Sequence, residues 1–275
     1  MKGSGIKIAH LSAGYGNRTI IRDLTIDVAP GEFIAVLGPN GSGKTTLLKV
    51  LLGLLKPSEG SVTIGGESPD VANRHIAYVP QHRDFDPDLP IRGRELVELG
   101  LDGQRFGIPW PSKAIRRQVD EAIRQIGAEG YADAPVGLLS GGEQQRLRIA
   151  QALLGESSVL LCDEPLLALD PARQQQVAAL IDSYRRAHDA AVFFVTHEIN
   201  PILGYVDRVL YLVKGKAAIG LPEVVLTTET MSELYGAPVE VHSHDGRVMV
   251  IAGEEGTSHL IGHHHDHDHE ESPWD

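Results

Sequence analysis

Phe33-Ile34-Ala35-Val36-Leu37-Gly38-Pro39-Asn40-Gly41-Ser42-Gly43-Lys44-Thr45-Thr46, running on into Leu47-Leu48-Lys49-Val50-Leu51-Leu52, is the stretch on which the reading of this chain turns. Five apolar residues suit a buried strand, the next six are a glycine-rich turn, and the apolar run after Thr46 suits a helix. The pattern G-x-x-x-x-G-K-[ST] in a strand–loop–helix context is a phosphate-binding loop. Glycines let successive backbone N–H groups turn inward at a helix N-terminus, where they face anions. Lys44 reaches β- and γ-phosphate oxygens as a point charge, and the Thr45 hydroxyl suits Mg²⁺. At average residue usage the pattern arises by chance in roughly one chain in a hundred of this length, before its flanks are considered. The nucleotide-binding set read here is Gly38, Pro39, Asn40, Gly41, Ser42, Gly43, Lys44, Thr45 and Thr46.

Outward from this loop, the first thirty residues read as antiparallel. Leu24, Ile26 and Val28 alternate with Thr25 and Asp27, and Gly14-Tyr15-Gly16-Asn17 and Pro30-Gly31 mark turns. Ser61-Val62-Thr63-Ile64 is a further short strand. From about 91 to 138 the pattern becomes helical, with Ile115, Val119, Ala122, Ile123 and Ile126 on one face and Ser112 as an N-cap. Three apolar segments, 159–162, 191–195 and 208–213, suit a buried parallel sheet, with a helix over about 172–187 between the first two. The body is α/β, with an antiparallel start and a helical insertion.

The first of those strands runs Val159-Leu160-Leu161-Cys162-Asp163-Glu164 and ends in two carboxylates. After a phosphate loop, the first acid is placed to hold Mg²⁺ and the second to act on an attacking water as general base. Upstream lies Leu139-Ser140-Gly141-Gly142-Glu143-Gln144-Gln145-Arg146. Here the chain resembles the ATP-binding cassette (ABC) family, whose signature L-S-G-G-x-x-x-R opens a helix shortly before a paired-acid strand. Ser140 precedes Asp163 by 23 residues.

The resemblance covers about residues 5–220 and implies a P-loop NTPase (RecA-like) cassette with an N-terminal antiparallel β subdomain and a helical subdomain over about 82–140. It implies that Ser140, Gly141 and Gly142 face the ATP held by a second copy of the chain. Tyr15 resembles the aromatic that stacks on adenine, and Gln81 the glutamine that senses Mg²⁺ and the attacking water. His197 resembles the histidine at the γ-phosphate, and Asp170 the loop aspartate at the dimer seam. The catalytic set is therefore Glu164, His197, Gln81 and Lys44, with Thr45, Gln81 and Asp163 around Mg²⁺. One position departs from the pattern: Leu167-Ala168-Leu169 stands where the family usually carries a serine two residues before the leucine, so no hydroxyl is offered across the seam there.

Composition narrows the class. The 275-residue chain has a net charge of −12, which argues against a nucleic-acid partner held through phosphates. No apolar run approaches the ~18–20 residues that cross a bilayer. The single cysteine, Cys162, excludes an internal disulfide and fits a reducing cytosol. One cassette, no coiled-coil arm and no membrane span together imply a separate subunit on the cytoplasmic face of the cell membrane. It would pair as a homodimer and dock on a permease through the region between Gln81 and about Leu138, with Arg94 and Glu98 on the docking surface.

The segment from Val79-Pro80-Gln81 through Asp86-Pro87-Asp88-Leu89-Pro90 looks like the zinc and manganese importer branch, which implies an extracytoplasmic metal-binding protein as indirect partner. Beyond a small extension, 221–262, the tail over 263–275 carries His263, His264, His265, His267 and His269 interleaved with Asp266 and Asp268. Imidazoles suit zinc better than manganese, which prefers oxygen, so the expected cargo is zinc, with a Zn²⁺ site on the tail to which His242, His244 and His259 add ligands. Transport of manganese, nickel or another substrate, or a soluble ABC protein without a permease, are the alternatives.

Overall fold

The computed structural model describes residues 4–81, 85–102, 113–244 and 246–252. The expected N-cap Ser112, His259 and the whole histidine-rich tail lie outside these.

Strand β1 (Ile6–Tyr15) pairs antiparallel with β2 (Arg18–Val28) across the Gly16-Asn17 turn, and with β4 (Glu59–Ile64) on its other edge. Between them in sequence come β3 (Phe33–Leu37) and the loop that opens into α1 (Lys44–Leu51). A short α2 (Pro69–Ala72) leads to β5 (Ile76–Val79). Three helices follow, α3 (Gly93–Asp102), α4 (Lys113–Gln125) and α5 (Gly141–Leu154). The chain then runs through β6 (Val159–Asp163), α6 (Pro171–His188), β7 (Ala191–Val195), β8 (Arg208–Val213) and β9 (Lys216–Gly220). It continues as α7 (Pro222–Val225), α8 (Thr228–Tyr235) and the hairpin β10 (Val239–His244) and β11 (Arg247–Ala252).

The central sheet has the order β5-β6-β7-β3-β8-β9, parallel except for β9. Its inner strands are apolar throughout because both faces are covered, and successive side chains point to opposite faces. Ile34 and Val36 of β3 enter one core with Leu47, Leu51 and the antiparallel sheet's Ile6, Ile8 and Leu24. Phe33, Ala35 and Leu37 enter the other, against Val177 and Ile181 of α6. The same alternation divides Val159 and Leu161 from Leu160 and Cys162. Cys162 is fully buried, and burial pushes its thiol far up from the usual range.

The second core also takes in Val225, Leu226, Met231, Leu234 and Val239, so the extension packs on the β8 side of the sheet. A third core sits within the helical segment, where Val97, Val119, Ile123, Ile126 and Leu147 meet. The amphipathic face read from Val119, Ile123 and Ile126 is thus the buried one. Arg94, expected on a docking surface, is 37% exposed and pairs there with Asp120 of α4 and, at 3.1 Å, with Asp133. These exposed ion pairs tie α3 to α4 and to the turn at Asp133.

Candidate functional site

Strands β6, β7 and β3 are neighbours and parallel, with Asp163 level with Val195 and Val195 level with Val36. Their C-terminal ends therefore open on one edge of the sheet, where ligands of open α/β sheets bind. The loop after β3, the acids after β6 and the His197 turn after β7 leave from this edge. Backbone bonds fix the geometry: the Glu164 N–H donates to the Val195 carbonyl (3.0 Å) and the Thr196 N–H to the Val36 carbonyl (3.2 Å).

Within the loop, Gly38 has φ +141°, and a Cβ there would lie 2.1 Å from the Leu212 carbonyl oxygen. Only glycine allows this approach of loop to β8. The Lys44 ammonium is buried and donates to the carbonyls of Gly38 (2.7 Å) and Pro39 (3.2 Å). Burial lowers its pKa, opposed by the charges of Glu164 and Asp163. The Ser42 Oγ is buried with no hydrogen-bond partner, a polar atom that an anion in the cradle would satisfy. Together with the N–H groups that open α1, this chemistry fits a polyphosphate.

Asp163 is buried at the end of β6, with its carboxylate 3.5 Å from the Thr45 hydroxyl. Burial raises its pKa, and the adjacent Glu164 adds to the rise. A carboxylate beside a hydroxyl, both oxygen donors, in a place that disfavours uncompensated negative charge, fits a hard divalent cation such as Mg²⁺.

Glu164 adopts φ +51°, a left-handed conformation uncommon for a residue with a side chain. The turn aims its carboxylate between two partners. Oε1 lies 2.7 Å from His197 Nε2, and Oε2 accepts from Gln81 Nε2 at 3.2 Å. The His197 hydrogen bond holds the Glu164 carboxyl below the usual glutamate range. Lys44, Thr45, Gln81, Asp163, Glu164 and His197 are thus brought to one edge from four places in the sequence.

The other expected residues lie elsewhere. Tyr15 ends β1, is 46% exposed, and has the Lys49 ammonium 5.3 Å from its ring centroid. Asp170 caps α6, accepting from the Arg173 N–H at 3.0 Å. Ser140 sits at the N-cap of α5, and Gly142 backs onto the Ala168 carbonyl. The Ser140 hydroxyl and N–H both donate to Glu143 Oε2, at 2.7 and 2.9 Å. These bonds depress the Glu143 pKa. Its carboxylate was not singled out in the sequence, although a Glu three residues after Ser is a capping signal. Among the described residues, no three His, Cys, Asp or Glu side chains converge to hold a metal. His242 bonds Glu240 at 3.2 Å on the exposed face of β10.

Comparison with known proteins agrees with this geometry. Residues 21–167 match the family model described as ABC transporter. A manganese transport system ATP-binding protein of Halalkalibacterium halodurans is 34% identical over 250 residues, covering 90% of this chain and 98% of that protein. A zinc import ATP-binding protein of Pseudomonas fluorescens is 32% identical over 273 residues, covering 97% of each. Among solved structures, an ATP-binding cassette captured as a dimer after hydrolysis, with ADP and Pi bound, superposes with a TM-score of 0.69 at 28% identity, covering 78% of this chain and 98% of that one. Among the described residues no helix is long and apolar enough to cross a membrane. A phosphate cradle, a paired-acid strand end and a signature helix, in a chain matched nearly end to end by transporter ATP-binding proteins, place it in the ABC transporter family as an ATP-binding, ATP-hydrolysing subunit.

Proposed function

We propose that this chain powers the uptake of a divalent transition metal, zinc ahead of manganese, through a separate permease. Residues 1–220 form the cassette, with the helical subdomain over about 82–140 and the extension over 221–262. The observation that carries hydrolysis is the placement of Glu164 between His197 and Gln81, at the strand edge that also holds Lys44 and Asp163.

In this reading ATP lies on the loop of one copy. The loop N–H groups, Ser42 and Lys44 hold its phosphates, and Tyr15 takes the adenine once Lys49 moves aside. Thr45 and Asp163, with Gln81 nearby, would hold Mg²⁺, which would supply positive charge against the developing phosphate charge. Glu164, ionised because His197 holds its pKa down, takes the proton of the attacking water. Each of its oxygens has one partner here and keeps a further lone pair for that water. His197 and Gln81 fix the carboxylate and contact the γ-phosphate side. Ser140, Gly141 and Gly142 of the second copy close the site, with Asp170 at the seam. Catalysis is then positioning and charge stabilisation more than covalent chemistry.

The choice of metal rests on two supports. Relatives that match almost the full chain are named for zinc import and manganese transport. The tail adds His263, His264, His265, His267 and His269, imidazoles of the kind zinc accepts. They would form a pH-dependent Zn²⁺ site on the cytoplasmic face of the cell membrane, with an extracytoplasmic metal-binding protein as the indirect partner. The test is metal uptake in cells whose own copy carries Lys44→Ala. Uptake of labelled zinc is expected to fall to background with manganese uptake intact. Loss of manganese uptake alone would transfer the assignment to manganese, and unchanged uptake of both would refute it.

A further inference from the structure

Three contacts join the segment over 85–87 to α5 and the residues that lead into it. The Gln144 side chain is 2% exposed and satisfied at both ends. Its Oε1 accepts from the Phe85 N–H at 3.1 Å, and its Nε2 donates to the Leu139 carbonyl at 3.0 Å. One turn further along α5, the Arg148 guanidinium lies over the Phe85 ring, 4.2 Å from its centroid. Behind both, Gly137 presses on the Asp86-Pro87 backbone so closely that a Cβ would lie 2.3 Å from the Asp86 oxygen. None of these contacts belongs to the nucleotide-binding edge of the sheet.

We infer that Gln144 is a positioning residue: it clasps the Phe85–Pro87 segment to the start of the signature helix, so that the two move as one body. The physical reason lies in what a break would leave behind. The Leu139 bond fixes the amide within the signature segment, so if either segment moves alone the Phe85 bond is lost, and each buried group then left unpaired costs about 1–3 kcal/mol. Moving both together keeps that bond. Gln81, four residues before Phe85, touches Glu164, whereas Leu139 adjoins Ser140. The clasp therefore connects the loop that touches the general base to the segment that would meet the second copy's nucleotide. This rests on the proposed role of Ser140 and its glycines across a pair of cassettes.

The test is amide hydrogen exchange on the full chain carrying Glu164→Gln, with and without ATP and Mg²⁺. ATP is expected to protect the peptides over 85–90 and 137–142 together. Adding Gln144→Met, which keeps the side-chain length and removes both bonds, should leave protection of 137–142 in place and abolish it over 85–90. The melting temperature should fall, because the Phe85 N–H and the Leu139 carbonyl are left unpaired, while the affinity for ATP should be nearly unchanged. Gly137→Ala strikes the same clasp from its other side and should give the same split if Gln144→Met folds poorly. Coupled protection of both segments despite either substitution would overturn the inference. Protection of 137–142 but not 85–90 in the Glu164→Gln protein would also overturn it, while leaving the signature assignment standing. Protection of neither segment would remove the signature assignment and the inference with it.

Discussion

Replacing Asp163 with Asn separates the fold's needs from those of the site. Asp163 is 3% exposed and next to a second carboxylate, and its pKa is raised first by burial and then by Glu164. Two like charges at such a range repel by about 3 kcal/mol at an effective dielectric of ~20. The Thr45 hydrogen bond and the Lys44 charge offset part of this, and the desolvation of a buried ion leads the net cost to the nucleotide-free fold. The sign follows. A carboxyl whose folded pKa lies above its unfolded value destabilises the fold at pH above that folded pKa, and the penalty shrinks as pH falls through it toward the ordinary aspartate range. Asn keeps an oxygen for the Thr45 hydroxyl and removes the charge. Nucleotide-free Asp163→Asn should therefore be more stable at neutral pH by about 1 kcal/mol, a rise of roughly 2–4 °C in melting temperature for a protein of this size. The gap should narrow on acidification. With saturating ATP and Mg²⁺ the order should reverse, because ligand at 100 times its Kd adds about 2.7 kcal/mol to a protein that binds it and little to one that has lost a metal ligand. Differential scanning fluorimetry over a pH series, with ATP in Mg²⁺ or in EDTA, reads all of this. A nucleotide-free variant less stable than the parent at neutral pH would refute the reasoning that this charge is held for a cation.

Gly38→Ala should lower the melting temperature and remove ATP binding, since a Cβ would lie 2.1 Å from the Leu212 carbonyl at a φ that L-residues avoid; a strain of about 1–3 kcal/mol is expected in thermal denaturation. Deleting residues 262–275 should leave basal ATP hydrolysis within twofold while removing zinc binding measured by calorimetry. In the full chain that binding should weaken as pH falls below the imidazole pKa of ~6.5. Equal zinc binding by both proteins would exclude the tail as the site.

The sequence exposed most of the engine because the relevant residues are local in the chain. The Gly38–Thr46 loop, the acids after Val159-Leu160-Leu161-Cys162 and the Ser140 helix start each announce themselves within about ten residues. Apolar runs sufficed for β6, β7 and β8, since strands buried on both faces need no alternation. What stayed hidden depends on three-dimensional neighbours. No spacing rule says that Glu164 sits between His197 and Gln81, or that its φ is +51°. The ion pairs of Arg94 were hidden because its partners, Asp120 and Asp133, are 26 and 39 residues away. The extension was the least legible part. Its helices span four and eight residues, short of what nucleates alone, and they form because Val225, Met231 and Leu234 join the core against β8.

Hydrolysis at the Glu164 edge is tested most directly by steady-state ATP turnover of Glu164→Gln beside the parent, with the oligomeric state followed by light scattering in ATP and Mg²⁺. The substitution keeps a hydrogen-bonding side chain between His197 and Gln81 and removes only the base. Turnover is predicted to fall by a factor of about 10²–10⁴, while ATP still binds and the protein accumulates as a stable dimer. Turnover at the parent's rate would contradict the account.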